Sequence, residues 1–344
     1  VLSINAMRIS ILQTDIVWEN KQENLRRLRE KLETLRGTTE IVVLPETFST
    51  GFSMNTASLA EPTTGETIAT LRQWSEEYRL ALAGSYIACE TASEGGKPSY
   101  YNRAFFLTPE GNAYYYDKRH LFRMGHETEH FTPGNRRPII RYRGWNILLL
   151  VCYDLRFPVW SRNTSNEYDL LIYVANWPIP RRKVWDILLQ ARALENISYV
   201  CGVNRIGKDG RDIPHSGGSV VYSPKGEVLA TVPDNEEAIA TASLNLSSLQ
   251  EFRLKFPAWK DADEFVISSN NSHYTYAFYI RSIGIAVTYG ELPLRGIADF
   301  PQFTVRILGK LLGCSTSVLR GLLYHSGLHF VETGEFIRHI IFII

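Results

Sequence analysis

Three reactive side chains each follow a short water-avoiding run. Glu46 closes Val42-Val43-Leu44-Pro45-Glu46, Cys152 follows Leu148-Leu149-Leu150-Val151, and Lys118 ends Tyr114-Tyr115-Tyr116-Asp117-Lys118. Runs of this length and composition predict strands, two of them fully buried. In α/β sheets the ligand crevice lies beyond the carboxyl ends of the strands, so the three positions predict one convergent site. Together they supply a thiol nucleophile, a carboxylate base and a cation. Singly, each has a plainer reading: a small core thiol, a loop charge after proline, and a solvated lysine among Asp117 and Arg119.

A second pattern competes for attention. His126-Glu127-Thr128-Glu129-His130 matches H-E-x-x-H, which on a helix places two imidazoles on one face for zinc and leaves the glutamate as base. That geometry needs about two helical turns. Gly125 stands just before the motif and Thr132-Pro133-Gly134 just after it. The proline turns its predecessor away from helical backbone. A polar loop that contains two histidines therefore fits better than a zinc hydrolase built on His126 and His130.

The elements that must position these residues alternate. Strands are expected at Arg8 to Leu12, Ile41 to Leu44, Leu80 to Ile87, Asn146 to Cys152, Leu170 to Ala175 and Tyr199 to Val203. Helices are expected at Glu19 to Leu35, where Leu25, Leu28, Leu32 and Leu35 recur at helical spacing, around Glu66 to Tyr78, and at Lys183 to Asn196. Two hairpins are expected, Tyr101 to Leu107 with Ala113 to Tyr116, and Ser219 to Leu229. This order predicts an α/β layered domain with helices outside a pair of sheets.

The chain has 344 residues, 44% of them hydrophobic, and a formal net charge of +1. That balance suits a large globular core and gives no electrostatic footprint for nucleic acid or a membrane surface. No apolar run is long enough for a transmembrane helix. Val1 to Ala6 lacks the charged and apolar regions of a secretory leader. Cys89, Cys152, Cys201 and Cys314 are scattered without a C-x-x-C pair, which suits a reducing cytoplasm. After Ser268 the character changes. Residues 269–344 hold four acidic residues, Glu291, Asp299, Glu332 and Glu335, and end in Ile340-Ile341-Phe342-Ile343-Ile344. Residues 268–344 are read as a C-terminal extension, unassigned, with Val305 to Leu323 as its one candidate helix.

Taken with their surroundings, the three reactive residues resemble the nitrilase superfamily of carbon-nitrogen hydrolases over residues 7–267. The family segments stand here, in family order and at family-like spacing, as Leu44-Pro45-Glu46-Thr47-Phe48, Asp117-Lys118-Arg119-His120-Leu121-Phe122 and Cys152-Tyr153-Asp154-Leu155-Arg156-Phe157-Pro158. The resemblance implies a four-layer αββα sandwich, a homodimer or larger homo-oligomer, and a Glu46–Lys118–Cys152 triad. A second family glutamate falls on Glu127, with Glu129 as the alternative register; it would orient the amide nitrogen or Lys118. In chemical terms, Glu46 takes the thiol proton and returns it to the leaving nitrogen as ammonia. Lys118 and the backbone N–H of Tyr153 hold the oxyanion, and water then hydrolyses the thioester. No metal and no cofactor is required.

Ala175-Asn176-Trp177-Pro178 and the Lys-Arg-His-Leu-Phe-Arg-Met stretch from Lys118 to Met124 look like the ω-amidase branch, whose members act on ω-amides of 2-oxo dicarboxylic acids. A small-molecule amide bearing a free carboxylate calls for a guanidinium. Arg156, Arg181, Arg182 and Arg205 are the candidates, with Arg156 and Arg181 preferred and Trp177 as a pocket wall. Arg192 and Arg205 are also expected to pair structurally with Glu195 and Asp209. Nitrile hydrolysis and N-carbamoyl amino acid hydrolysis use the same triad by family resemblance, so both stay open. A third class, a triad-bearing scaffold whose tail binds a partner, predicts no turnover.

Overall fold

A computed structural model describes residues 6–91, 96–263 and 265, and the strands at 277–280 and 285–288. In chain order its elements run β1 (Ala6–Gln13), α1 (Lys21–Leu35), β2 (Ile41–Val43), α2 (Thr56–Leu59), α3 (Glu66–Tyr78), β3 (Ala81–Glu90), β4 (Ser99–Leu107) and β5 (Ala113–Asp117). Then follow α4 (Glu127–His130), β6 (Ile140–Tyr142), β7 (Trp145–Val151), α5 (Pro158–Ser161), β8 (Leu170–Ala175), α6 (Arg182–Asn196) and β9 (Tyr199–Asn204). The unit closes with β10 (Ile206–Lys208), β11 (Pro214–Ser216), β12 (Val220–Tyr222), β13 (Val228–Thr231), β14 (Ala238–Asn245) and α7 (Leu246–Lys255).

Two six-stranded mixed sheets form the centre, in the orders β14-β1-β2-β3-β4-β5 and β13-β12-β9-β8-β7-β6. In each, three central strands run parallel and antiparallel strands flank them. The strand period of two decides which side chain faces which layer. Ile41 and Val43 of β2 share a core with Leu148 and Leu150 of the other sheet, whereas Val42 and Leu44 pack with Leu28 and Leu32 of α1 and Leu71 and Trp74 of α3. Trp185, Leu189 and Ala193 of α6 join the core from the second sheet's side. The result is helix, sheet, sheet, helix. This is the four-layer αββα arrangement that the family resemblance implies, and it agrees with the layered α/β domain expected from the alternation of elements.

Helix α1 starts two residues later than the expected Glu19: the Asn20 side-chain oxygen accepts from the backbone N–H of Glu23, and Leu25, Leu28, Leu32 and Leu35 are buried. The hairpin at Ser219 to Leu229 is present as β12 and β13, closed by Ser223 and Glu227. Strand β14, which pairs with β1 along its whole length, has no counterpart among the expected elements. Its residues, Ala-Ile-Ala-Thr-Ala-Ser-Leu-Asn, carry small side chains and therefore a weak alternation signal. The chain divides into two units at Ile267 and Ser268. Within the second, Ala277–Ile280 and Ile285–Thr288 pair antiparallel. The candidate helix Val305 to Leu323 lies outside the described residues. Among the described residues no helix is long and apolar enough to cross a membrane.

Candidate active site

Glu46, Lys118 and Cys152 follow the ends of β2, β5 and β7, and the structure brings all three together. Lys118 Nζ lies 3.1 Å from Glu46 Oε1, and the Cys152 thiol is close enough to both for their charges to act on its pKa. Glu46 and Lys118 are each only 1% exposed. Backbone contacts fix each of the turns. Thr47, directly after Glu46, takes a left-handed φ of 43°, and its N–H donates to Ser85 Oγ at 2.8 Å. Lys118 is held from both sides, by its own N–H to Asn102 O and by the N–H of Gly134 to its carbonyl, each at 3.0 Å. Glycine is required at 134, because a Cβ there would stand 2.1 Å from the carbonyl oxygen of Asp117. Cys152 leaves β7 with φ 45° and opens a short 3-10 turn through Arg156. Left-handed backbone at a non-glycine residue carries strain, and here it aims the thiol out of the sheet.

The H-E-x-x-H stretch resolves into two environments. His126 has φ 63° and stands before the helix, so α4 is a single turn of four residues, Glu127 to His130. The two imidazoles do not share a helical face. Glu129 is exposed and pairs with His126 at 2.8 Å. Glu127, in contrast, is fully buried and reaches Lys118 Nζ with both oxygens, at 3.0 and 2.9 Å. Its Oε2 also accepts from the backbone N–H of Phe122. Of the two registers considered, Glu127 is the one that stands against Lys118.

Several residues given no role by the sequence reading complete the site. Asn102 on β4 donates to Glu46 Oε1 at 2.7 Å and to Glu127 Oε1 at 3.1 Å, and its own carbonyl accepts from Ser85. Asn176, just past β8, donates its backbone N–H to Glu46 Oε2 at 2.7 Å and its side-chain amide to Glu46 O at 2.6 Å. Asp154 ties the lysine loop to the cysteine turn. It accepts from Tyr116 Oη, from the N–H of His120 and from the N–H of Val151, and it contacts His120 Nδ1 at 2.7 Å. The one available signal was a polar side chain inside an otherwise apolar strand or strand end, as at Asn102 and Asn176.

The electrostatics follow from burial and the opposed charges. Burial alone would lower the Lys118 pKa, but the negative charges of Glu127 and Glu46 outweigh it and raise it, so the ammonium persists. Burial, reinforced by the charge of Glu46, lifts the Glu127 carboxyl above its ordinary value against the pull of Lys118. Burial and the Glu46 charge push the Cys152 thiol well up, with Lys118 opposing. Cys152 thus rests as a thiol, and any attack by its sulfur would need a base to take the proton.

Around this centre stand the expected substrate residues. The Arg156 guanidinium lies 5.2 Å over the ring of Trp177, which is buried and donates its indole N–H to Arg181 O. The Arg181 guanidinium lies 5.0 Å over Phe122, whose ring packs edge-on against Tyr153. Neither guanidinium has an ion pair among the described residues. The other two candidates are engaged elsewhere. Arg182 holds Asp186 and Asp234, and Arg205 is fully buried with Asp15, Ile16 O and Lys208 O. Arg192 pairs with Glu195 as expected, but the partner of Arg205 is Asp15 rather than Asp209, because β10 returns beside the end of β1.

Comparison with known proteins places this geometry. The family described as carbon-nitrogen hydrolase matches residues 8–254. Omega-amidase YafV of Escherichia coli (strain K12) is 45% identical over 261 residues, 75% of this chain and 98% of that protein. 2-Oxoglutaramate amidase of Bacillus subtilis (strain 168) is 30% identical, over 74% of this chain and 96% of that one. The crystal structure of XC1258 from Xanthomonas campestris, a CN-hydrolase superfamily protein with an arsenic adduct in its active site, superposes with a TM-score of 0.72 at 37% identity. It covers 76% of this chain and 99% of that chain. On the family match, the shared fold and these identities, the chain belongs to the carbon-nitrogen hydrolase family, within the nitrilase superfamily.

Proposed function

We propose that this enzyme is a thiol-dependent amidase that hydrolyses the ω-amide of a small 2-oxo dicarboxylic acid, such as 2-oxoglutaramate or 2-oxosuccinamate. The observation that carries the reading is the enclosed set of Glu46, Lys118 and Glu127 beside the Cys152 thiol. The names and identities of the relatives support the substrate class. In the first half-reaction the Cys152 sulfur bonds to the amide carbon as its proton passes to Glu46. The tetrahedral oxyanion rests against Lys118 Nζ and the backbone N–H of Tyr153. Removing one such donor from a site of this kind costs about 10²- to 10³-fold in rate. Glu46 then gives the proton to the leaving nitrogen, the C–N bond breaks, and ammonia departs from a thioester. Water, deprotonated by Glu46, attacks the thioester, releasing the acid and restoring the thiol.

Glu127 acts by fixing the Lys118 ammonium, which it meets with both oxygens. Asn102 and the backbone N–H of Phe122 hold Glu127 in turn, so the ammonium stays in one place as charge develops on the substrate. Arg156 and Arg181 receive the substrate carboxylate, since each leans on an aromatic ring and lacks a competing carboxylate, and Trp177 forms the wall between them. Residues 7–267 form the catalytic domain. The enzyme works in the cytoplasm as a homodimer, for which the exposed Ile187 and Leu194 on α6 supply an apolar face.

The test is ammonia release from 2-oxoglutaramate, 2-oxosuccinamate, glutamine, an N-carbamoyl amino acid and a nitrile. It is run with the intact protein, with Cys152→Ala and with a chelator added. Turnover of an oxo-acid amide that disappears in Cys152→Ala and is indifferent to the chelator is expected. Retained turnover in Cys152→Ala sinks the mechanism, and preference for the nitrile or the N-carbamoyl compound replaces the substrate class.

A further inference from the structure

At the other end of the sandwich, four segments distant in sequence border a cavity of about 300 Å³ that is open to solvent. Arg36 follows the end of α1 and Arg79 the end of α3, Arg8 and Glu40 flank the starts of β1 and β2, and Arg143 sits in the turn between β6 and β7. Catalytic residues occupy the carboxyl ends of β2 and β7, so the cavity lies at the opposite ends of the same strands. Along β7 alone that separation is about 20 Å.

The charges here do not balance. Four guanidiniums line the cavity with one carboxylate, and that carboxylate is already taken. Glu40 Oε1 meets Arg8 Nη2 at 2.6 Å, and its Oε2 accepts the backbone N–H of Arg8, also at 2.6 Å. Arg36, Arg79 and Arg143 have no ion pair among the described residues. Elsewhere in the same unit Arg26, Arg27, Arg103, Arg182, Arg192, Arg205 and Arg253 have one, while Arg156, Arg181 and Arg211 do not, so what sets these three apart is their placing around one concavity. A cation after a helix end is favoured by the unpaired carbonyls there, which accounts for Arg36 and Arg79. Arg143 arrives from the second sheet on a left-handed turn residue, φ 48°, with its guanidinium 5.4 Å from the centre of the Tyr142 ring. All three side chains are exposed, so water and salt screen their mutual repulsion, and the groove shows solvent an excess of positive charge.

We propose that this cavity is a binding site for a small, multiply charged oxyanion, held by the guanidinium forks of Arg36, Arg79 and Arg143. Guanidinium matches phosphate and carboxylate oxygens in pairs, which makes either a phosphate compound or a small polycarboxylate the right chemistry. The volume sits at the lower end of ligand pockets and excludes a long polyanion enclosed within it. Because Arg143 belongs to one sheet and the other two follow helices of the opposite layer, the bound anion ties the two halves of the sandwich together. Occupancy therefore stabilises the fold, and the site is distinct from the amide-hydrolysing centre.

The experiment is thermal unfolding of the full chain with low-millimolar pyrophosphate or citrate, against sodium chloride of equal ionic strength. With the anion about tenfold above its Kd, the melting temperature of the native protein rises by about 3 °C. Arg143→Ala and Arg79→Ala each lower the affinity about tenfold, and the rise at the same concentration falls to about 1 °C. Arg211→Ala, an exposed arginine elsewhere, keeps the full rise. A response to pyrophosphate alone identifies a phosphate ligand, and a response to citrate alone identifies a polycarboxylate. No rise above the chloride control overturns the proposal. An equal rise in Arg143→Ala also overturns it, because the effect is then one of salt on the whole surface.

Discussion

On the outer face of α1, Arg26 reaches Glu23 and Glu30 and Arg27 reaches Glu23, at 2.5 to 2.8 Å and in contact with water. Behind β2, Lys118 reaches Glu46 and Glu127 at comparable distances, with every side chain at 1% exposure or less. The side-chain types and separations are alike; the surroundings are not. At the surface, Glu23 is held down at about 2 by hydrogen bonds from Arg26 and then Arg27, yet water and salt screen the pair and little stability follows. In the interior, two carboxylates and one ammonium have lost their hydration, and only their mutual contacts and those of Asn102, Asn176 and Phe122 offset it. Such an arrangement is hard to keep for stability's sake. It is what a reaction with moving charge requires.

Removing the cation tests the difference most severely. Lys118→Met leaves Glu46 and Glu127 buried without their ammonium and should lower stability by roughly 3–5 kcal/mol in urea unfolding. Turnover should be lost as well. Because the Lys118 pKa is raised in the folded protein, its contribution is complete below the unfolded lysine value of about 10.4 and fades as pH rises past the folded one. The stability gap between native and Lys118→Met should therefore be widest near neutrality and narrow in strong alkali. A gap that instead widens with pH contradicts the assignment of Lys118 as the cation of this cluster.

Glu127→Gln makes a gentler change, since the amide keeps the shape and loses the charge. The expected result is a kcat lower by about 10²-fold with a native circular dichroism spectrum and little change in KM. An unchanged kcat would place Glu127 outside the reaction. Arg181→Ala probes the rim. For an amide that carries a carboxylate KM should rise about tenfold, and for an uncharged short amide it should hardly move. An equal loss for both substrates would assign Arg181 to structure instead of recognition. At the far end of the scale, Arg26→Ala should leave the melting temperature and kcat unchanged. A clear drop there would show that the α1 pairs resemble the interior cluster more than their exposure implies.

The sequence makes some of this legible and hides the rest for identifiable reasons. Strands ending at Val43 and Val151 are announced by aliphatic runs, and their reactive successors Glu46 and Cys152 stand out against them. Helix α1 is announced by four leucines at helical spacing. The network that holds the site is less visible. Asn102 and Glu46 are 56 positions apart, and Tyr116 and Asp154 are 38 apart. Nothing local marks either as a partner: the first contact exists only once β2, β3 and β4 lie side by side in one sheet, and the second only once the two sheets have stacked. Strand β14 escapes because small residues pack without a strong alternation. The pairing of Arg205 with Asp15 escapes because it depends on β10 returning beside β1, a feature of topology and not of spacing.

The anchoring of the two arginines at the rim carries a consequence for how this enzyme can change. Glu46, Lys118 and Glu127 are bolted to backbone and amide groups from β3, β4 and the loop after β8, so altering any one of them disturbs several neighbours. Arg156 and Arg181 rest on the faces of Trp177 and Phe122 and have no ion pair among the described residues. Under the proposed roles, chemistry and selectivity are thus separable parts. A lineage, or a protein engineer, can exchange one rim residue at a time and explore new amides while the bond-breaking machinery stays as it is.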